Sequence, residues 1–242
     1  MAALPPERRR LAQLDAALVG ARLATLREAL ADAAGSAGRS VPPAVLVASK
    51  YFEPSAIPAL IAAGATLLGE NRADVIAGKQ AAVPAGARVQ WDYIGDLQSR
   101  KVRELTACVD RIHTLASRSA VRRLHALAEE GVTVPELLIQ VNVAGEHGKG
   151  GVQPGELPAL LDVAAGLPVR GLMTMPPLAG SPDDSRRWFA CLRDLAVDHG
   201  LTELSMGTSQ DALVAAQEGA TIVRVGGLLH DDAAWQRLFP GA

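Results

Sequence analysis

The stretch Ala44-Val-Leu-Val-Ala-Ser-Lys50 is a run of small and β-branched residues that ends in a single lysine. Because no polar residues alternate within the run, it predicts a β-strand that is covered on both faces, as in parallel α/β sheets. Ligands of such folds bind at the carboxyl ends of the strands. The position of Lys50 therefore makes its amine a candidate site group, and simple exposure to solvent is the alternative.

The alternation of a strand with a helix repeats along the rest of the chain. Further strands are predicted at 65–68, 89–94, 111–115, 136–143, 169–175, 203–206 and 221–225. Eight strand and helix units predict a (β/α)8 barrel of the TIM type. A doubly wound open sheet is the alternative architecture, but the first strand lacks the glycine-rich turn of a dinucleotide-binding fold.

The segment before the first strand predicts an additional N-terminal helix. Leucines recur at close to helical spacing from Glu7 to Ala33, and glycines and prolines then lead into the strand. After Lys50, Ser55 is expected to cap a helix that Gly64 ends. We expect one domain over residues 1–242, with a helix and linker at 1–40 and the barrel at 41–242.

Composition argues against several classes of function. The chain has 24 Lys and Arg against 26 Asp and Glu, a formal net charge of −2, which gives no electrostatic reason to expect nucleic acid as a partner. Cys108 and Cys191 lack metal-ligand spacing, so neither a metal site nor a disulfide is expected. The N-terminal residues lack a signal-peptide pattern, and no apolar run reaches the ~20 residues of a membrane span. We therefore expect a cytoplasmic protein.

In a barrel, the residues that end the strands gather on one face. Barrels often bind phosphate through backbone N–H groups in the loops after strands seven and eight. Here these loops carry Ser205-Met-Gly-Thr-Ser209 and Arg224-Val-Gly-Gly227, although turn formation alone is the alternative role of their glycines. A phosphate site opposite Lys50 predicts a phosphorylated aldehyde bound as a Schiff base, which is the chemistry of pyridoxal phosphate (PLP).

Other polar side chains near the predicted strand ends have less specific roles. Arg224 is expected either to face the pyridine nitrogen, where it would weaken the ring as an electron sink, or to bind phosphate directly. His113 is expected to be a hydrogen-bonded core histidine. Glu146 and His147 are expected in a solvated loop, in which Lys149 could approach the site as a second amine. Met173 and Met175 are expected to fill the barrel.

Ordered motifs from about residue 40 to 227 resemble those of the pyridoxal phosphate homeostasis proteins. Among them are Val47-Ala-Ser-Lys50, Leu68-Gly-Glu-Asn71, Ile139-Gln-Val-Asn-Val143, Gly171-Leu-Met173 and Val223-Arg-Val-Gly226. The resemblance implies a barrel like the cofactor domain of alanine racemase (fold type III), with a Schiff base at Lys50 and Arg224 near the pyridine nitrogen. It also implies that phosphate is held around Ser205, Ser209, Gly226 and Gly227. The residues that it implies around PLP are Lys50, Asn71, Met173, Ser205, Met206, Ser209, Arg224, Gly226 and Gly227.

Some positions depart from the pattern of that family. The family usually has His and Asn where this chain has Asp92 and Arg100, and Met and Thr where it has Thr208 and Gly227. Gly227 keeps its backbone N–H but lacks a hydroxyl, and Thr208 is expected to supply one.

The resemblance implies a protein that binds PLP and hands it over, with PLP-dependent apo-enzymes as recipients and without robust catalysis. Alanine racemases use a second base, a tyrosine from an additional β-domain of the partner subunit, and no segment for such a domain follows Gly227. Tyr51 and Tyr93 are expected to pack within the barrel. We therefore expect a monomeric PLP-binding regulator. The alternatives are a racemase or decarboxylase with a one-base mechanism at Lys50, and a phosphate-binding barrel enzyme without PLP.

Overall fold

The computed structural model describes residues 10–178 and 180–241, and its centre is a closed barrel of eight parallel strands in sequence order. Pairing of the last strand with the first, from Ala44 beside Ile222 to Val47 beside Val225, closes the barrel. The predicted (β/α)8 architecture is confirmed. The strands are β1 (Ala44–Ala48), β2 (Leu67–Glu70), β3 (Gln90–Tyr93), β4 (Arg111–Leu115), β5 (Glu136–Gln140), β6 (Val169–Met173), β7 (Glu203–Ser205) and β8 (Ile222–Val225).

Helices cover the outside of the barrel. Helix α5 is an example. Ser117 caps its start by accepting a hydrogen bond from the Ala120 N–H, and the apolar side chains of the helix are buried on the one face that packs on the barrel. One helix precedes β1, one follows β8, and the others alternate with the strands. They are α1 (Ala16–Ser36), α2 (Ile57–Ala62), α3 (Ala73–Gln80), α4 (Val102–Thr106), α5 (Arg118–Glu129), α6 (Leu157–Val163), α7 (Arg186–Asp198), α8 (Ala212–Gln217) and α9 (Asp232–Leu238).

The first strand ends two residues before Lys50. Residues Ser49–Tyr51 form a single 3-10 turn, in which the Phe52 N–H donates to the Ser49 carbonyl at 2.9 Å. The predictions that β5 extends to residue 143 and β6 to residue 175 were also too long. Apolar residues continue beyond the ladders of β5 and β6, at Val141, Val143 and Met175, so the sequence pattern alone does not mark where pairing stops.

The N-terminal helix begins later than predicted. Asp15 accepts hydrogen bonds from the Ala17 and Leu18 N–H groups and caps α1, so the prediction of helix from Glu7 was wrong over residues 10–15. Residues 7–9 lie outside the described chain. Leu11 instead pairs with the loop after β1, where its N–H donates to the Tyr51 carbonyl at 2.9 Å.

Ser55 does not cap α2 as predicted. Its hydroxyl donates to the carbonyl of Ala12 at 2.9 Å, because the N-terminal segment lies against this loop. The predicted end of the helix at Gly64 is confirmed, since this glycine follows α2 with a φ of +88°.

Two environments make up the buried part of the molecule. The larger apolar cluster fills the space between the strands and helices, including Leu23, Leu26 and Leu30 of α1. A smaller one, Leu46, Leu67 and Ile222, lies inside the barrel. Side chains that alternate with the outer cluster point inward, and toward the carboxyl ends of the strands the inward positions become polar.

A buried ion pair joins the loops after β1 and β2. Lys79 of α3 is fully buried, and its Nζ pairs with the Glu70 carboxylate and donates to the Ser49 carbonyl at 2.7 Å. The second Glu70 oxygen accepts from the backbone N–H groups of Asn71 and Arg72, at 2.7 and 3.2 Å. The pair therefore fixes the backbone on either side of Lys50 and Asn71.

Lys79→Met tests this pair. We expect a loss of about 3–5 kcal/mol in the free energy of unfolding, because Glu70 would remain buried without its cation. Urea denaturation of the purified protein measures the loss. Lys101→Met is the matched control, since Lys101 pairs with Glu104 at 2.8 Å on the surface and its loss should cost less than about 1 kcal/mol. Equal losses in the two variants would contradict the assignment.

The described residues contain no helix long and apolar enough to cross a membrane. Within the same residues there is no group of three or more His, Cys, Asp or Glu side chains that could hold a metal ion. Cys108 and Cys191 are both free thiols.

Candidate functional site

A cavity of about 870 Å³ opens at the carboxyl ends of the strands. This volume is within the range of sites for small molecules and cofactors. Its wall combines a few apolar side chains with many polar ones, contributed by every strand of the barrel or the loop after it. The lining residues are Ala48, Lys50, Tyr51, Asn71, Ile94, Gly95, Asp96, Thr114, Gln140, Gly148, Lys149, Gly150, Met173, Met175, Thr208, Ser209, Gln210, Arg224 and Gly226.

The loop after β1 brings Lys50 to the cavity. The lysine side chain reaches solvent through the open mouth, and its Nζ lies 5.1 Å from the centre of the Tyr51 ring. The Ser49 backbone below it is held by Lys79. The amine is therefore accessible to a ligand while its backbone is anchored.

Tyr51 connects this loop to the loop after β8. Its ring packs against Phe52 and His230, with ring centroids 6.5 and 5.6 Å apart, which supports the expected packing role. A Cβ at position 226 would lie 2.3 Å from the Tyr51 ring. Gly226 is therefore required by the close approach of Tyr51.

The loops after β7 and β8 contain backbone donors that have no protein acceptor. Within the described chain, the N–H groups of Ser209, Gly226 and Gly227 make no hydrogen bond. Gly207 shapes the first loop, because it has a φ of +88° and a Cβ there would lie 2.5 Å from the Ala215 methyl group. Free N–H groups in glycine-containing loops are suited to binding an anion.

Thr208, expected to supply an additional donor, lines the cavity and is bonded within its own loop. Its N–H and its hydroxyl both donate to the Asp211 carboxylate, at 2.7 and 3.2 Å. These bonds close the turn that leads into α8 and leave the Thr208 side chain engaged within the loop.

Arg224 lies at the base of the cavity, nearly buried. Its Nη1 donates to the Ser205 hydroxyl at 2.6 Å, and its Nη2 donates to the Thr174 carbonyl at 2.9 Å. Burial lowers the pKa of Arg224 to about 10, and the nearby Asp211 carboxylate opposes that shift. The guanidinium therefore keeps its positive charge at neutral pH.

His113 lies behind Arg224 and is fully buried. Its Nδ1 is 2.9 Å from the Ser205 Oγ and its Nε2 is 2.8 Å from Asp92 Oδ2. Burial lowers the pKa of His113, and the cations Arg224 and Arg111 lower it further, while Asp92 raises it. The prediction of a hydrogen-bonded core histidine is confirmed.

The structure brings most of the predicted site residues together. Ser205 and Met206 are fully buried behind the cavity wall, and Gly227 opens the turn that follows Gly226. The hydroxyl of Ser205 is already bonded to His113 and Arg224. Those that line the cavity are Lys50, Asn71, Met173, Ser209, Arg224 and Gly226.

The loop after β5 contributes Lys149 to the rim. Its Nζ pairs with the Glu146 carboxylate, and the Asn142 side chain holds this loop through two hydrogen bonds to the Glu146 backbone. His147 is exposed, as expected.

Sequence reasoning missed several polar residues of the wall. Thr114 and Gln140 both lie at the ends of strands, so the rule that strand ends gather could have found them. The prediction that Met175 fills the barrel was wrong, because its side chain is 52% exposed at the rim. Met175 follows β6 and lines the cavity at its rim instead of filling the barrel.

Residues 8–231 match the family model described as alanine racemase, N-terminal domain. A pyridoxal phosphate homeostasis protein of Aquifex aeolicus is 38% identical over 221 residues, which are 87% of this chain and 96% of that protein. The chain belongs to the pyridoxal phosphate homeostasis proteins of this family. The corresponding protein of Escherichia coli is 33% identical over 84% of this chain and 92% of its own length.

Solved structures agree with this membership. PipY of Synechococcus elongatus PCC7942, with PLP bound, has a TM-score of 0.75 at 33% identity and covers 87% of this chain and 99% of PipY. Alanine racemase from Bartonella henselae, with covalently bound pyridoxal phosphate, has a TM-score of 0.66 at 14% identity, over 90% of this chain and 59% of that chain. At this low identity the likeness shows the barrel fold alone.

The buried His113 predicts how stability depends on pH. Its ordinary pKa is 6.5 and its pKa in the folded protein is lower, so below pH 6.5 the unfolded chain takes up a proton that the folded chain does not. We therefore expect stability to fall as the pH drops below 6.5, with a slope of up to about 1.4 kcal/mol per pH unit. Urea denaturation at several pH values measures the slope.

His113→Gln removes the titrating ring and should flatten this slope, even if the variant is less stable at every pH. His147→Gln, in the exposed loop, is the control and should leave the slope unchanged. A slope in His113→Gln as steep as in the wild type would show that another group causes the dependence.

Proposed function

We propose that this protein binds PLP in the cavity at the mouth of the barrel and takes part in PLP homeostasis. The observation that carries the proposal is the presence, in one cavity, of an accessible lysine amine and backbone N–H groups without a protein acceptor. A phosphorylated aldehyde needs both kinds of group. The name of the Aquifex aeolicus relative and the PLP bound to PipY support the same ligand.

Each group of the cavity has a distinct role in this proposal. PLP supplies an aldehyde that reacts reversibly with amines and a ring that acts as an electron sink. The amine of Lys50 is the nucleophile toward that aldehyde. The free N–H groups of Ser209, Gly226 and Gly227 hold the phosphate, and Asn71 and Met173 form the walls. Ser205 lies behind the cavity wall and accepts a hydrogen bond from Arg224, and Met206 is buried beneath the loop after β7.

Arg224 favours binding over turnover. A guanidinium donates hydrogen bonds and cannot accept them, so a ring nitrogen that faces Arg224 stays unprotonated. An unprotonated ring withdraws electrons weakly from a bound amino acid. We infer that the protein acts as a monomeric carrier that hands PLP to apo-enzymes, which agrees with the homeostasis role named for its relatives.

Reductive trapping tests the binding site. After addition of PLP and borohydride, we expect one reduced adduct per chain, mapped by mass spectrometry to the peptide that contains Lys50. Lys50→Arg should lose the adduct, and Lys149→Arg, at the other lysine of the cavity wall, should keep it. An adduct elsewhere, or none, would refute the site. Amino-acid racemisation or decarboxylation at a rate typical of enzymes would refute the carrier role.

Alanine substitutions at the adjacent Gly226 and Gly227 test whether the loop after β8 binds the phosphate. Gly226→Ala would place a methyl group 2.3 Å from the Tyr51 ring and displace the N–H, whereas a Cβ at Gly227 meets nothing within 4 Å. We expect Gly226→Ala to weaken PLP binding about 10- to 100-fold, since a hydrogen bond to a charged group contributes roughly 1.5–3 kcal/mol. Gly227→Ala should change it less than about threefold. A spectrophotometric PLP titration measures both, and equal effects would contradict the assignment.

A further inference from the structure

A chain of four buried side chains crosses the interior of the barrel. Asp92 on β3 contacts His113 on β4, His113 contacts Ser205 on β7, and Ser205 contacts Arg224 on β8, with distances of 2.8, 2.9 and 2.6 Å. The first three residues are fully buried. Only the Arg224 end reaches the cavity, because neither Asp92, His113 nor Ser205 lines it.

The Asp92 carboxylate fixes the direction of the first hydrogen bond. Its Oδ1 accepts from the Gln90 amide at 2.9 Å, and its Oδ2 lies 3.8 Å from the Arg111 guanidinium as well as beside His113. A carboxylate accepts hydrogen bonds and does not donate them. The proton of the neutral His113 ring must therefore be on Nε2.

The remaining directions follow from that proton. With Nε2 protonated, Nδ1 is an acceptor, and the Ser205 hydroxyl donates a hydrogen bond to it. The Ser205 oxygen then has free lone pairs toward Arg224, whose Nη1 donates to it. The Nη2 group is held separately by the Thr174 carbonyl. With both ends anchored, the plane of the guanidinium is fixed.

The opposite tautomer of His113 would be incompatible with these hydrogen-bond directions. A proton on Nδ1 would donate to Ser205, and the Ser205 hydroxyl proton would then need another acceptor, while Nε2 would face the Asp92 carboxylate without a proton between them. Among the described residues, the Ser205 hydroxyl has no third partner. Asp92 therefore determines which group donates in each hydrogen bond of the row, although three hydrogen bonds separate it from Arg224 at the cavity.

We propose that Asp92 is a positioning residue that sets the orientation of the Arg224 guanidinium through His113 and Ser205. The consequence for PLP rests on the proposed function, because Arg224 is the only member of the chain that reaches the cofactor cavity. The orientation itself is a property of the protein without a ligand, so it can be measured separately.

Nitrogen-15 NMR of the protein without PLP tests the orientation. In the wild type we expect His113 to be neutral at pH 8 with its proton on Nε2. We also expect two separate Nη signals from Arg224, because its rotation is hindered. Arg224→Lys and His113→Gln identify the signals. A proton on Nδ1 of His113, or a single averaged Nη signal in the wild type, would overturn the proposal.

Variants of Asp92 and Ser205 then test the connection. Asp92→Leu should lose both signatures. Asp92→Asn should retain them, since its amide oxygen still accepts from Nε2 once the Gln90 amide turns its own oxygen toward the new NH2 group. Ser205→Ala, which removes a single oxygen, should average the Arg224 signals and leave the His113 tautomer unchanged. Asp96→Leu is the matched control, because Asp96 is a carboxylate of the cavity wall that does not belong to the four hydrogen-bonded side chains. Unchanged Arg224 signals in folded Asp92→Leu and Ser205→Ala would overturn the proposal.

The PLP-loaded protein supplies the last readout. We expect the absorbance of bound PLP to titrate with pH differently in Asp92→Leu than in the wild type, and Asp92→Asn to restore the wild-type profile. Identical profiles for Asp92→Leu and wild type would overturn the connection to the cofactor. Failure of the wild type to bind PLP would refute the proposed function, whereas the NMR results would still decide whether Asp92 orients Arg224.

Discussion

The buried pair of Lys79 and Glu70 is the interaction on which the geometry of the site depends. A charge of either sign in an apolar interior is costly unless it is paired and its remaining hydrogen bonds are satisfied. Here the satisfying partners are backbone groups of the loops after β1 and β2. The need to satisfy these charges therefore holds the Ser49 and Asn71 backbone in one conformation. Lys50 consequently projects from an anchored turn, although its own side chain is exposed.

The interior of the barrel is divided between an apolar and a polar part. Leu46, Leu67 and Ile222 fill one part, and the hydrogen-bonded chain from Asp92 to Arg224 crosses the other. A polar chain is tolerated inside a protein only if every member is satisfied. This one meets that condition, and it ends on a cation at the wall of the cavity. The barrel thus holds a fixed positive charge at the base of the cavity.

The groups around the cavity suit the binding of PLP better than its use in catalysis. The loops after β7 and β8 offer N–H groups, the loop after β1 offers an amine, and β8 offers a guanidinium. These groups can hold a phosphorylated aldehyde at three points. In our proposal Arg224 also keeps the ring nitrogen unprotonated, which limits the electron withdrawal that amino-acid chemistry requires. A site of this kind suits a protein that retains and releases PLP.

The sequence by itself determined the barrel, the strand order and the face on which the site lies. Periodic strands and helices are local patterns, and the gathering of strand ends follows from the closed parallel topology. Lys50, Ser209, Arg224 and Gly226 could be selected in this way because they lie at the ends of recognisable strands or in the loops that follow them. The ends of the strands and the start of α1 were less predictable, because apolar and helical patterns continue past the point where pairing or capping stops them.

Only the tertiary structure decided how the buried polar side chains are connected. Lys79 and Glu70 are nine residues apart and gave no signal of a site, and Asp92, His113, Ser205 and Arg224 lie on four different strands. Their contacts depend on side-chain reach across the closed barrel, which neither composition nor periodicity encodes. The sequence therefore predicted that the lysine lies at the carboxyl ends of the strands, and the folded barrel determined which groups hold its backbone and which line the cavity around it.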